Sequence, residues 1–226
     1  MGIEKNPADF LPSDVEAVVA SEWNYAARYN RQSEPRAILL AGQPGAGKTV
    51  LSSMLNKLLC GNVYFINADE YRRFHPNYKE LYARYGSDSV QMTSGFSGAV
   101  TERLIHETSE RGIHLIIEGT GRTTDVPHRT AELLVKKGYR VELAVIATRP
   151  EHSLCSTLLR FYEMNERGTI PRATAMEAHD YVVRVLPDNL DILRDDPVIS
   201  GITIWDRTPT KIYDSCGTAE CPSEVL

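Results

Sequence analysis

The amino-acid sequence predicts an α/β fold in which a doubly wound, mostly parallel sheet is covered by helices on both faces. Apolar segments of strand length alternate along the chain with segments of helical periodicity, the pattern of repeated strand–helix–strand units. Several strand segments are continuous apolar runs, as expected for strands that are buried on both faces. No internal repeat or long linker divides the 226 residues, so we expect one domain spanning residues 1–226.

The first helix is predicted over about residues 13–29. Ser13 and Glu16 have the spacing of a capping box. Apolar residues then recur on one helical face, namely Val15, Val18, Val19, Trp23 and Ala26. The first strand is the apolar run at 37–41, and residues 49–59 show the apolar spacing of the helix that follows it.

Five later segments have the composition of strands, at 62–67, 113–118, 139–147, 202–206 and 211–213. Four further helices are predicted from periodicity, glycine stops and proline positions, over 97–111, 125–137, 150–166 and from 174 to just before Pro187. Residues 78–95 mix tyrosines, serines and glycines and match neither pattern. Residues 214–226 are predicted to be a frayed, mobile tail.

A glycine-rich segment between the first strand and the following helix matches the phosphate-binding pattern G-x-x-x-x-G-K-[ST]. Its eight residues are Gly42, Gln43, Pro44, Gly45, Ala46, Gly47, Lys48 and Thr49. In such a loop the backbone N–H groups and the positive end of the helix dipole surround an anion. Lys48 would contact the outer phosphates of a nucleotide, and the Thr49 hydroxyl would bind Mg²⁺. The pattern and its flanks predict a P-loop domain, without deciding which nucleotide chemistry it performs.

Bulk properties exclude several classes of protein. The net charge of −5, with no densely basic stretch, argues against nucleic-acid binding and against docking on an anionic membrane. No apolar run approaches the ~18 residues of a membrane helix, and the N-terminus lacks a signal-peptide core. The four cysteines form no C-x-x-C pair, so we expect free thiols and a cytoplasmic protein.

Polar residues follow the predicted second and third strands, at the sheet edge where ligands bind in this fold class. Asp69 could accept a proton from a hydroxyl, or it could cap the helix that begins near Glu70. Glu118 could bind a metal ion through water, or it could hydrogen-bond to Thr49. Thr120 and Arg122 lie in a glycine-punctuated loop over 119–124, which could bind substrate or be a solvated turn.

Three arginines flank a predicted helix–helix loop, namely Arg160, Arg167 and Arg172. Guanidinium groups stabilise the charge on a transferring phosphoryl group, and in small-molecule kinases such arginines can lie on a mobile lid. The alternative for each is an ordinary surface position.

At these residues the sequence resembles the zeta toxin family, the kinase half of bacterial toxin–antitoxin pairs. The resemblance covers about residues 37–213. It rests on the phosphate loop, on Asp69 followed by His75-Pro76-Asn77, on the segment 116–127, on Pro171-Arg172 and on the segment 177–180.

The resemblance implies a P-loop kinase-like fold and transfer of phosphate from ATP, with Mg²⁺, to the 3′-hydroxyl of the sugar in UDP-N-acetylglucosamine. By this resemblance Asp69 is the base, Lys48 binds phosphates, Thr49 helps to hold Mg²⁺, and Arg160 and Arg172 stabilise the transferring group. The sugar nucleotide would be bound by Glu102, Glu118, Thr120, Arg122 and Thr130. Glu102 follows from the resemblance alone. A small helical antitoxin on a separate chain is the expected protein partner.

Two other functions remain open from the residues themselves. One is a kinase of the same fold for another UDP-sugar or small metabolite. The other is a non-catalytic nucleotide switch. The switch is disfavoured because the guanine-specific pattern N-K-x-D is absent, since Asn56-Lys57 is followed by Leu58-Leu59.

Overall fold

The computed structural model describes residues 6–171 and 174–226. Its sheet has six strands in the spatial order β2-β3-β1-β4-β5-β6. In chain order they are β1 (Arg36–Ala41), β2 (Val63–Asn67), β3 (His114–Glu118), β4 (Arg140–Ile146), β5 (Ile202–Trp205) and β6 (Lys211–Asp214). The first five are parallel, and β6 runs antiparallel to β5 at one edge. The predicted strands and the doubly wound α/β class are confirmed.

The helices, in chain order, are α1 (Pro12–Ala26), α2 (Lys48–Leu58), α3 (Ala68–Tyr71), α4 (Tyr78–Tyr85), α5 (Ser89–Met92), α6 (Ser94–Glu110), α7 (Asp125–Lys136), α8 (Pro150–Glu166) and α9 (Met176–Arg194). Three 3₁₀ turns lie at Arg72–Phe74, Gly86–Asp88 and Pro222–Glu224. Within the described residues, none of these helices is both long enough and apolar enough to span a lipid bilayer.

The hydrophobic core is divided by the sheet into two layers, because successive side chains of a strand point to opposite faces. Along β1, Leu39 packs in the larger layer with α1, α6, α7 and α9. Ile38 and Leu40 pack in the smaller layer against α2. The burial of both faces explains why these strands are continuous apolar runs in the sequence.

The first helix differs from its prediction at both ends. It begins at Pro12 and ends at Ala26. The carboxylate of Asp14 accepts a hydrogen bond of 2.7 Å from the Leu11 N–H. Asp14, rather than the predicted Ser13–Glu16 pair, therefore satisfies the free N–H at the helix start.

The prediction that the last long helix stops before Pro187 is wrong, because α9 continues through this proline to Arg194. A proline inside a helix costs about 3 kcal/mol. Each fully buried aliphatic side chain contributes roughly 1.5–3 kcal/mol. The buried face of α9 carries such residues on both sides of the proline, namely Val182, Leu186, Leu190 and Leu193. Their burial outweighs the local cost.

The prediction of a frayed tail after residue 213 is also wrong. Ser223 donates hydrogen bonds from its N–H and its hydroxyl to the two carboxylate oxygens of Asp191, at 3.0 and 2.6 Å. Val225 and Leu226 pack against the larger core layer. The polar composition of this segment gives no sign of a packed structure. The hydrogen bonds of Ser223 are also made to a residue 32 positions earlier, which no local pattern indicates.

Residues 78–95, which the sequence left unassigned, form a compact run of short helical pieces. They comprise α4, the 3₁₀ turn at 86–88, α5 and the first residues of α6. The pieces are too short to show a helical period in the sequence.

Candidate active site

The phosphate loop connects the C-terminal end of β1 to the first turn of α2, as predicted. Gly42, Gly45 and Gly47 all have positive φ angles, of 144°, 76° and 104°. A Cβ atom on Gly45 would lie 2.0 Å from the carbonyl oxygen of Ser153. At Gly45 both the backbone conformation and the close approach of α8 therefore require glycine.

Lys48 is the first residue of α2, and its side chain is only 11% exposed. Its Nζ donates hydrogen bonds to the carbonyl oxygens of Gly42 at 2.8 Å and Gln43 at 3.3 Å, so the ammonium group lies across the loop. Burial lowers the pKa of Lys48, Glu118 and Asp69 act to raise it, and Arg160 adds to the lowering. Glu118, Asp69 and Arg160 therefore each lie within electrostatic range of Lys48.

The ends of β2 and β3 place Asn67 beside Glu118, which are paired in register. Asn67 Nδ2 donates to Glu118 Oε2 at 2.9 Å, and Asn67 Oδ1 accepts from the N–H of Asp69 at 3.0 Å. The cap of α3 is thus Asn67, so the alternative that Asp69 caps this helix is wrong. The Glu118 carboxylate also lies 3.9 Å from Lys48 Nζ. Glu118 therefore accepts from Asn67, a hydrogen-bond partner that the sequence did not indicate.

Asp69 lies in α3, and its side chain is 52% exposed. Its Oδ1 accepts a hydrogen bond of 2.9 Å from Arg72 Nε. Sequence reasoning missed Arg72. The only signal was the i,i+3 spacing of an acid and a base on a helix, which many surface pairs share.

The loop over 119–124 is fixed between the phosphate loop and α9. Gly119 N donates to Leu40 O at 2.8 Å, and Gly42 N donates to Thr120 O at 3.4 Å. Asn189 Nδ2 donates to the carbonyl oxygen of Gly121 at 2.8 Å. Gly121 has a φ of 74°, and a Cβ there would lie 2.5 Å from Leu186. The backbone of this loop is therefore fixed by hydrogen bonds to β1, the phosphate loop and α9, whereas the side chains of Arg122 and Thr123 are exposed.

The remaining predicted residues are placed as follows. Arg160 is exposed on α8 and lies close enough to act on Lys48, and Thr49 is exposed in the first turn of α2. Thr130 is half-buried on α7, and Glu102 is exposed on α6. Among the described residues, no hydrogen bond or ion pair joins Glu102 to the other site residues. Arg172 lies outside the described residues.

A polar network whose side chains are buried at Gln43, Ser153 and His179 is hydrogen-bonded to the phosphate loop. Gln43 Nε2 donates to Thr148 O at 2.6 Å and lies 3.4 Å from Ser153 Oγ. Ser153 Oγ lies 2.7 Å from Nε2 of His179, whose Nδ1 is 2.8 Å from Asp180 Oδ1. The network links the loop to α8 and α9. The sequence could not reveal it, because hydrogen-bonded partners in it are up to 110 residues apart.

The donor atoms at this site suit a nucleotide and Mg²⁺. A nucleotide phosphate would be held by the loop and Lys48, and Mg²⁺ would be held through the oxygen atoms of Thr49 and Glu118. In the described residues, no group of three or more His, Cys, Asp or Glu side chains could hold a metal ion by itself.

Comparison with known proteins identifies relatives over most of the chain. The model of the family described as Zeta toxin matches residues 20–218. The chain is 40% identical over 220 residues to Toxin PezT of Streptococcus pneumoniae, with 96% of this chain and 87% of that protein covered. It is 41% identical over 194 residues to Toxin zeta of Streptococcus pyogenes, with 85% and 68% covered.

Solved structures also resemble this chain over most of its length. A structure from the PezAT chromosomal toxin–antitoxin system of Streptococcus pneumoniae superposes with a TM-score of 0.89 at 38% identity, and 98% of this chain and 88% of that chain are covered. A crystal structure of AvrRxo1-ORF1:-ORF2 with ATP shares the fold, with a TM-score of 0.61 at 15% identity and coverage of 92% and 68%. The family match and the identities over most of the chain establish that this protein belongs to the zeta toxin family.

Proposed function

We propose that this protein is a kinase that transfers the γ-phosphoryl group of ATP to the 3′-hydroxyl of the sugar in UDP-N-acetylglucosamine, and that it acts as a toxin. The observation that carries the proposal is the convergence of Lys48, Asp69 and Glu118 beside the phosphate loop. Lys48 occupies the loop position whose lysine contacts the outer phosphates of a nucleotide. A carboxylate such as Asp69 beside it suits phosphoryl transfer to a hydroxyl.

In the proposed reaction the acceptor oxygen forms a bond to the γ-phosphorus, and the bond from that phosphorus to the β,γ-bridging oxygen breaks. Asp69 takes the proton of the acceptor hydroxyl, and ADP leaves. Lys48 contacts the phosphates of the nucleotide that the loop binds. Arg160 and Arg172 stabilise the charge on the transferring phosphoryl group. Mg²⁺, when bound through Thr49 and the phosphates, would neutralise charge on the leaving group.

The sugar nucleotide is proposed to bind along the carboxyl ends of β2 and β3. Glu118 and the loop carrying Thr120 and Arg122 border the phosphate loop directly. The roles of Glu102 and Thr130 rest on the family resemblance. An exposed guanidinium such as that of Arg122 would suit the diphosphate of a UDP-sugar.

The biological setting is also a proposal. Relatives carry the name toxin, and the PezAT structure comes from a toxin–antitoxin system. We propose that a small helical antitoxin, encoded separately, covers the nucleotide site. The four cysteines are free thiols, which suits action in the cytoplasm.

Mass spectrometry of reactions with ATP, Mg²⁺ and a panel of UDP-sugars tests the proposed function. We expect UDP-N-acetylglucosamine to gain the mass of one phosphate, and Asp69→Asn to slow this gain by about 10²–10⁴-fold, to a residual rate, while ATP still binds. Glu70→Gln is the matched control, because Glu70 is the neighbouring acid on α3. Transfer only to another sugar would show that the acceptor is misassigned. No transfer to any member of the panel would overturn the proposal.

A further inference from the structure

We infer that Arg72 is a positioning residue that aims the Asp69 carboxylate, and that residues 89–93 form the socket that fixes Arg72. The inference deepens the proposed kinase function and rests on it, because the role of Arg72 is exerted through the proposed base. It also assigns a role to residues 89–93, which belong to the segment 78–95 whose secondary structure the sequence does not predict.

The need for a positioning residue follows from the shortness of α3. This helix has only four residues, so its own backbone hydrogen bonds provide little rigidity. The backbone of Asp69 is held by its N–H group, which donates a hydrogen bond to Asn67 Oδ1. That bond fixes the backbone and leaves the side-chain torsions of Asp69 to be set by other contacts.

Arg72 supplies such a contact through one nitrogen of its guanidinium group. Its Nε lies 2.9 Å from Asp69 Oδ1, a charge-assisted hydrogen bond. The Arg72 side chain is only 17% exposed, whereas that of Asp69 is 52% exposed. Arg72 is therefore the more buried member of the pair, and Asp69 is the member that solvent or a ligand can reach.

The anchoring of Arg72 comes from a second nitrogen. Its Nη1 donates to the carbonyl oxygen of Val90 at 2.6 Å and to Thr93 Oγ1 at 3.3 Å. Thr93 is fully buried, and its own hydroxyl donates to Ser89 O at 2.9 Å. The Thr93 oxygen is thereby oriented to accept from Arg72.

Arginine is suited to this task for a geometric reason. The guanidinium group is planar and rigid, so fixing Nη1 in the socket also fixes the direction of the Nε–H bond to Asp69. A lysine has a single flexible ammonium group and cannot set both ends in this way. The adjacent Arg73 is not held in this way. Its side chain is exposed, and its Nη1 lies 3.9 Å from the Glu70 carboxylate, beyond hydrogen-bond distance.

The first test compares kcat and KM of Arg72→Met with those of the wild type and of the control Arg73→Met. A small misplacement of a catalytic group costs on the order of 10- to 100-fold in rate, so we expect that loss in kcat for Arg72→Met. Its KM for ATP should stay within about twofold, because the phosphate loop is untouched. Arg72→Lys should recover part of the loss. If Arg72→Met fails to fold, Arg72→Lys alone must still show the reduced kcat at unchanged KM.

The second test is a double-mutant cycle, because a residue that acts only through Asp69 has no effect once Asp69 is gone. The residual transfer rates of Asp69→Asn and of Asp69→Asn with Arg72→Met should be equal in single-turnover measurements. A further fall in the double variant would overturn the inference, as would an Arg72→Met enzyme with wild-type kcat. A wild type that phosphorylates no UDP-sugar would overturn the proposed function itself, and the inference with it.

Discussion

Ser153 Oγ lies 2.7 Å from Nε2 of His179, and both side chains are fully buried. Ser153 is in the first turn of α8 and His179 in the first turn of α9, so the contact joins the two helices next to the phosphate loop. Gln43 reaches the same hydroxyl from the loop. The nucleotide site is thereby tied to the helices on either side of the segment that carries Arg172.

Replacing His179 with alanine should destabilise the protein. It removes a fully buried imidazole and its hydrogen bond to Ser153, and the loss of such a bond costs about 0.5–1.5 kcal/mol in the free energy of unfolding. Thermal and urea unfolding would measure the loss. The control is His106→Ala, an exposed histidine of α6, for which we expect a change within ~0.5 kcal/mol. Identical unfolding curves for His179→Ala and wild type would show that the network contributes nothing.

Gly45→Ala should remove nucleotide binding. The new Cβ would lie 2.0 Å from the carbonyl oxygen of Ser153, so the loop or α8 must move. Gly61→Ala is the matched control, because Gly61 also has a positive φ, of 70°, yet has no atom within 4 Å of the added Cβ. Both variants carry the left-handed backbone penalty of roughly 1–2 kcal/mol, and only Gly45→Ala carries the clash. Calorimetric titration with ATP should separate them, and equal affinities in the two variants would contradict this account.

The buried position of Lys48 predicts a pH dependence of ATP binding. Burial lowers the pKa of Lys48 from its ordinary value of 10.5, so the free protein loses this proton at lower pH than an exposed lysine does. Phosphate oxygens favour the protonated form. ATP binding should therefore take up a proton, and the uptake should grow as the pH is raised above neutral towards 10.5, the ordinary pKa of a lysine.

Calorimetry in buffers of different ionisation enthalpy would measure this uptake. Lys48→Met should bind weakly and without the proton. Lys57→Met, which alters an exposed lysine of the same helix, should behave like the wild type. Binding by the wild type without proton uptake across this range would be inconsistent with a buried lysine that is deprotonated more easily than usual.

The sequence was sufficient for features that depend on local patterns. The predicted helix over 150–166 coincides with α8, and each predicted strand is present within two residues at either end. The phosphate loop follows from its sequence pattern, and the site residues after β2 and β3 follow from the rule that parallel strands end at one edge of the sheet. These are the parts in which pattern and tertiary structure agree.

The parts that the sequence missed depend on contacts between distant segments. No local pattern indicates that Arg72 donates to a carbonyl oxygen 18 residues later, or that Ser223 binds Asp191. The passage of α9 through Pro187 likewise follows from burial on both sides of the proline, which a rule based on proline alone cannot include.

The wide separation of the residues that complete the phosphate loop has a consequence for synthesis on the ribosome. Gln43 meets Ser153, 110 residues later, and Ser153 meets His179, a further 26 residues on. Contacts this far apart form slowly, because long loops must close first. A nascent chain that ends before α9 lacks this support for its nucleotide site. The growing polypeptide therefore acquires a fully braced phosphate loop only after most of its length has been translated.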